Sequence, residues 1–231
     1  MISKAKEIRD YIVSVPENTI INAADVYQDQ FAFVTEKNFY KVLERMTRDG
    51  ILTRLTKGLY YRPKKTRFGN VPLSEDKITE YYAHNGVVLG YVMYNKYGLT
   101  TQVGKRVEVL SGNVTEEKKN IGNIFVEKTR MEINEDTVPV IEALDVLQHY
   151  SQIEDLNRSA LASFLSSFSK EYSDSTADYV INNRKYKKRT IAFMKAILDY
   201  KGINNSLEKH LSVLSTYAVP EMEEIFEPAS E

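Results

Sequence analysis

Arg62, Lys64, Lys65 and Arg67 place four positive charges within six positions of a chain whose formal net charge is −1. Cations packed this closely suit pairing with phosphate, whose condensed counterions they release. The cluster ends the stretch RMTRDGILTRLTKGLYYRPKK at 45–65, which also carries Arg45, Arg54 and Lys57. Upstream, Thr35, Lys37, Asn38 and Lys41 would reach base edges from the first turns of a helix, with Tyr40 and Arg45 nearer the nucleic-acid backbone. Arg54, Lys57 and Arg62 would lie on or beside a β-ribbon close to phosphates, and Lys64 and Lys65 would extend that surface. A second run, NNRKYKKR at 182–189, adds Arg184, Lys185, Lys187, Lys188 and Arg189. These could meet nucleic acid or an acidic partner, or be solvated helix surface.

No set of residues points to catalysis, to a cofactor or to a metal. His84, His149 and His210 are scattered and have no i, i+4 partner for zinc. Cysteine is absent, which removes disulfides, thiolate chemistry and cysteine–zinc sites. Phosphate-binding GxxxxGK[ST] and GxGxxG patterns are missing, and Gly86 and Gly90 alone do not make a nucleotide loop. Glu116-Glu117-Lys118 spells the E-x-K found in some metal-dependent nucleases, but it reads as a polar loop and no Pro-Asp partner precedes it. The 16 tyrosines fall mostly beside apolar positions and suit half-buried packing.

The elements that must position the basic residues follow from periodicity. Ser3 is placed to cap a first helix carrying Ala5, Ile8, Ile12 and Val15, which Pro16 stops. A short second helix over about 23–30 follows Asn22, with Asp25 in its first turn and Ile21 and Val26 as a hydrophobic staple. Thr35 caps a third helix to about Asp49, with Phe39, Val42, Leu43 and Met46 on one face and Lys37, Lys41, Glu44 and Arg48 opposite. Gly50 ends it. Ile51–Leu55 and Leu59–Arg62 read as strands joined by Thr56-Lys57-Gly58, with one of Tyr60 and Tyr61 facing the core and the other outward. Three helices and a hairpin are the order of a winged helix-turn-helix.

Beyond TRFGNVPLSED, Ser74 caps a helix over about 75–84. Val87–Leu89 is a short buried element, and a helix over 91–97 ends at Gly98. Strands at 106–110 and 122–127 flank a loop rich in Lys and Asn. Helices follow from Thr137 and near 159–170, 175–183, 188–200 and 205–216. The acidic tail 219–231 is expected to fray. The fold class is α+β: an N-terminal winged helix-turn-helix over 1–67, then a mixed α/β domain over 68–231 that becomes all-helical.

Charge divides the same way. Residues 1–67 contain 13 Lys/Arg against 8 Asp/Glu, and the rest contain 18 against 24. Such asymmetry suggests a polyanion-binding module joined to a second function. No apolar run approaches a membrane span and no secretory signal is read, so a cytoplasmic protein without membrane contact is expected.

The motif LERMTRDGILTRLTKGLYYRP resembles the opening of the AbiEi-type antitoxins of abortive-infection toxin–antitoxin systems, through Leu43, Arg45, Met46, Gly50, Ile51, Arg54, Leu55, Gly58, Leu59 and Tyr60. YNKYGLTTQ at 94–102 is similar to a segment those proteins carry, and RKYKKRTIAFMKAILDYKG is similar to their C-terminal portion. The resemblance implies a cytoplasmic antitoxin of the type IV class with no enzymatic activity of its own. Its winged helix would bind double-stranded operator DNA and repress its own operon, while its C-terminal domain would counter a cognate nucleotidyltransferase-type toxin. Two other readings stay open: a winged-helix transcription factor with a ligand-sensing C-terminal domain, and a metal-dependent enzyme acting on nucleic acid.

Overall fold

In a computed structural model, which describes residues 3–227, the chain divides into two compact units between Tyr81 and Tyr82. The division falls later than the 67/68 boundary read from sequence. Residues 68–81 pack upstream: Val71 N–H donates to Lys64 O, and Tyr81 lies beside Asn22 and Asp25. Helices and strands together make an α+β protein.

The first unit runs α1 (Lys4–Ser14), β1 (Ile20–Asn22), α2 (Ala23–Gln30), α3 (Glu36–Arg48), β2 (Thr53–Thr56), β3 (Leu59–Tyr61), β4 (Lys65–Thr66) and β5 (Gly69–Asn70), and the division falls in the last turn of α4 (Glu75–Ala83). The amphipathic periods read from sequence bury Ile8 and Ile12 of α1 against Phe39, Leu43 and Met46 of α3. Phe31 stacks on Phe39 at 5.8 Å between ring centres. Asn22 caps α2 by accepting from Ala24 N–H, whereas Ser3 and Thr35 occupy their N-cap positions without a side-chain cap bond.

Three details depart from the sequence reading. β1 is an additional strand; it pairs antiparallel with β3, which also pairs with β2, giving a sheet of order β1-β3-β2. The hairpin is shifted: Ile51 and Leu52 turn out of α3 by donating to Met46 O, and Thr56 pairs with Leu59, leaving only Lys57-Gly58 as the loop. Tyr60 and Tyr61 are both buried, because β3 is the middle strand and is covered on both faces.

The second unit builds a four-stranded sheet from β6 (Gly86–Leu89), β7 (Val107–Ser111), β8 (Lys118–Ile121) and β9 (Ile124–Lys128), with α5 (Tyr91–Lys96) between β6 and β7. Its order is β6-β7-β9-β8, with β7 and β9 parallel. The stretch read as a Lys- and Asn-rich loop contains edge strand β8. Its inward positions are Lys119 and Ile121, so its polar composition hides its period, and Glu116 pairs with Lys119 at 3.6 Å. Helices follow: α6 (Thr137–His149), α7 (Arg158–Glu171), α8 (Asp174–Asn183), α9 (Lys188–Tyr200) and α10 (Met222–Phe226). α6 runs through the core, buried from Val140 to Leu147, and packs against β6, α7, α8 and α9.

Two expectations fail near the C-terminus. Residues 205–216 hold only a 3-10 turn, Leu207–His210, because the Asp174 carboxylate takes both the N–H and the hydroxyl of Ser206 (2.8 and 2.5 Å). Residues 222–227 do not fray: Ile225 is buried and Phe226 stacks on Tyr200 at 5.3 Å. The remainder of the expected acidic tail, 228–231, lies outside the described residues. No helix among the described residues is long and apolar enough to cross a membrane.

Candidate nucleic-acid interface

On α3, the apolar stripe turned inward leaves Lys37, Asn38, Lys41 and Arg45 exposed, with Thr35 exposed just before the helix. Glu36 and Glu44 share this surface. Arg48 lies at 4.0 Å and Arg9 at 3.6 Å from Asp49, exposed pairs worth at most about 1 kcal/mol. Tyr40 is half-buried edge-on to Phe39. Burial, then Glu36, then Tyr60 raise its phenol pKa, so Tyr40 sits where the first turns of α3 meet β3.

Arg54 is paired directly with Tyr60 across β2 and β3. Opposed residues of antiparallel strands project to the same face, so Arg54 leaves the sheet on the side of Tyr60, which lies near Tyr40 of α3. The hairpin arginine and the start of α3 therefore share one side of the first unit. Lys57 is exposed in the loop, with Lys64 and Lys65 exposed beyond β3. From Gly50 to Ser74 the chain has six Lys/Arg and no Asp or Glu, so nothing within that stretch neutralises them.

Arg62 behaves differently. It is half-buried, and one guanidinium nitrogen donates to the carbonyls of Val13 and Val15 at the C-terminal end of α1. It closes that helix and is not presented to a ligand. Sequence could not reveal this, because the acceptors lie more than 45 residues upstream.

The second basic run is split in the same manner. Arg184 turns inward to Glu127 at 3.3 Å and lies against the Tyr186 ring. Lys188 donates to His210 O. Lys185, Lys187 and Arg189 are exposed around the start of α9. Arg184 instead lines a cleft of about 240 Å³ with Arg106, Glu108, Glu127, Asp145 and His149.

Carboxylates in that cleft are already matched. Glu108 pairs with Arg106 at 3.0 Å and Glu127 with Arg184. Buried Asp145 accepts from Tyr94 Oη at 2.8 Å and lies 3.5 Å from His149 Nδ1. That bonding raises the imidazole pKa above its usual value against the opposing effect of burial. Glu142, one turn earlier on α6, accepts from Tyr97 Oη at 2.6 Å and lies 3.7 Å from Lys96. Two acids inside α6 are thus met by α5, satisfying charges that would otherwise be costly to bury. Among the described residues, buried Arg184 Nη1 and Tyr186 Oη have no partner beyond the close approach of these two side chains to each other. No single motif marks this network; only the fold brings residues 94, 106, 145 and 184 together.

Among the described residues no trio of His, Cys, Asp or Glu could hold a metal. Lys118 of the E-x-K triplet opens β8 and does not sit in a loop. His84 is exposed, and His210 pairs with Asp178 at 2.7 Å.

The chain belongs to a family of unknown function, DUF6088, whose family model matches residues 7–155. That match covers nearly all of the first unit and the sheet and central helix of the second, and stops short of α7. No curated protein matches the chain.

Proposed function

We propose that the first unit is a winged helix that binds duplex DNA, with α3 in the major groove and the β2–β3 hairpin as the wing. The observation that supports this most directly is that Arg54 and the first turns of α3 lie on one side of the unit. Lys37, Asn38 and Lys41 would read or flank base edges; Arg54, Lys57, Lys64 and Lys65 would neutralise phosphates. Tyr40 and Arg62 would hold the elements in place.

Within this reading the protein is a cytoplasmic autorepressor and antitoxin. The antitoxin half rests on the sequence resemblance to AbiEi-type proteins: the second unit would counter a nucleotidyltransferase-type toxin encoded beside it. A second reading is favoured by one feature, the mixed-charge cleft lined by Arg106, Glu108, Glu127, Asp145, His149 and Arg184, which would suit a ligand-sensing regulator.

Fluorescence anisotropy with a duplex from the promoter of its own gene tests the DNA contact; binding should weaken steeply with salt. Co-expression with the adjacent gene product, scored for growth rescue and co-purification, tests the antitoxin half. Salt-independent binding would remove the first claim, and absence of rescue the second.

A further inference from the structure

Phe68 is 85% exposed, an unusual state for a phenylalanine, and it sits at the tip of the small β4–β5 hairpin. The hairpin is braced. Lys65 pairs with Asn70 and Thr66 with Gly69, and Val71 N–H donates to Lys64 O to extend the ladder. Thr66 Oγ1 accepts from Phe68 N–H at 3.2 Å and donates to Gly69 O at 3.0 Å, tying the two-residue tip to its own strands. Gly69 has φ of 108°, a backbone state that a side chain would strain. Arg67 lies over the Phe68 ring at 4.7 Å. A Cβ added at Gly50 would lie 4.0 Å from Asn70 Nδ2, so the base of this hairpin adjoins the turn that leaves α3.

A stiff β-ribbon tipped by one bare aromatic ring, with arginine beside it and lysines on one strand, has the composition of a groove-inserting wedge. Proteins that enter the minor groove combine Arg or Lys with a single apolar side chain that parts a base step and kinks the duplex. One ring presents too little apolar area to hold a membrane surface.

We propose that the β4–β5 hairpin is a second DNA contact, a minor-groove wedge in which Arg67 enters the groove and Phe68 unstacks one base step. This rests on the DNA-binding reading above and adds to it a prediction of bending.

The test uses the full chain and a duplex from its own promoter, labelled at both ends with a donor and an acceptor dye. Wild type should shorten the end-to-end distance. Phe68→Ala should lose about tenfold in affinity, the scale of a single ring stacked on a base, and should leave the duplex straight. Phe68→Leu, which keeps an apolar wedge, should retain most of the bend. Netropsin, which fills the minor groove, should compete with wild type and compete less with Phe68→Ala, which keeps only Arg67 in the groove. All variants should melt as wild type does, since Phe68 buries so little. If Phe68→Ala binds and bends like wild type while Lys37→Ala binds more weakly, the wedge is wrong and the winged-helix reading stands. If wild type binds no duplex, both fall.

Discussion

Arg54, on β2, and Arg62, just past the end of β3, have the same chemistry, yet the fold gives them opposite tasks. Arg62 ties off α1 through two backbone carbonyls, so Arg62→Ala should lower stability by about 1–3 kcal/mol. That loss would be read by denaturant unfolding, with DNA affinity falling only as far as the fold does. Arg54 is exposed and, among the described residues, makes only a long bond from its Nε to Thr56 O. Arg54→Ala, like Lys37→Ala, should leave unfolding unchanged and weaken DNA binding; Arg54→Ala should also lower the log–log salt slope by about one, for the phosphate left without its cation, whereas Lys37→Ala should relax base preference. Anisotropy across a salt series checks this; full retained affinity would remove these residues from the interface. His149 gives a pH prediction. Hydrogen bonding to Asp145 raises its folded pKa above the unfolded value, about 6.5. The folded state therefore favours the protonated ring. That contribution to stability is present in full below the unfolded value and is lost as pH rises through the folded one. Thermal melts should drop across that window in wild type and stay flatter in His149→Gln.

Elements differ in how far local sequence specifies them. The helices α1, α2, α3, α6, α7, α8 and α9 announce themselves, because each needs a run of apolar residues at helical spacing and its caps sit beside it. β1 and β8 do not. Three residues, Ile20–Asn22, carry no usable period, and their strand state comes from β3 alongside. β8 has a lysine at an inward position. The proposed interface obeys the same rule: exposed cations on α3 and the β2–β3 hairpin are legible as charges at helical and hairpin spacing. The tasks of Arg62 and Arg184 are not, since their partners lie 47–57 positions away along the chain. Two substitutions test how these elements are held. Leu43→Ala, under the middle of α3, should cost about 2–5 kcal/mol and reduce DNA binding only through loss of the folded unit. Gly86→Ala should disrupt the sheet of the second unit, because the added Cβ would sit 2.5 Å from the carbonyl oxygens of Leu110 and Tyr82. Chemical-shift dispersion or near-UV circular dichroism would show whether β6 has left β7.

At the scale of the whole molecule, the division between Tyr81 and Tyr82 sets how the chain should be cut. Leu73 and Ile78 are buried, so a fragment of residues 1–81 should unfold cooperatively, whereas one ending at 67 should melt several degrees lower or not fold. On the proposed function, residues 1–81 should also bind promoter DNA yet fail to rescue growth against the product of the adjacent gene; rescue by that fragment would show that the proposed tasks are not divided between the units. The closing segment of the second unit has its own practical meaning. α10 lies along α7 and α9, with Ile225 buried and Phe226 set against both the Tyr200 ring and the Lys201 ammonium, the latter 3.7 Å from its centre. A protease that clipped the backbone ahead of Met222 would leave greasy seams bare on both helices. Trimmed molecules would then stick to one another, and turbidity in a stored sample would report the damage before activity did.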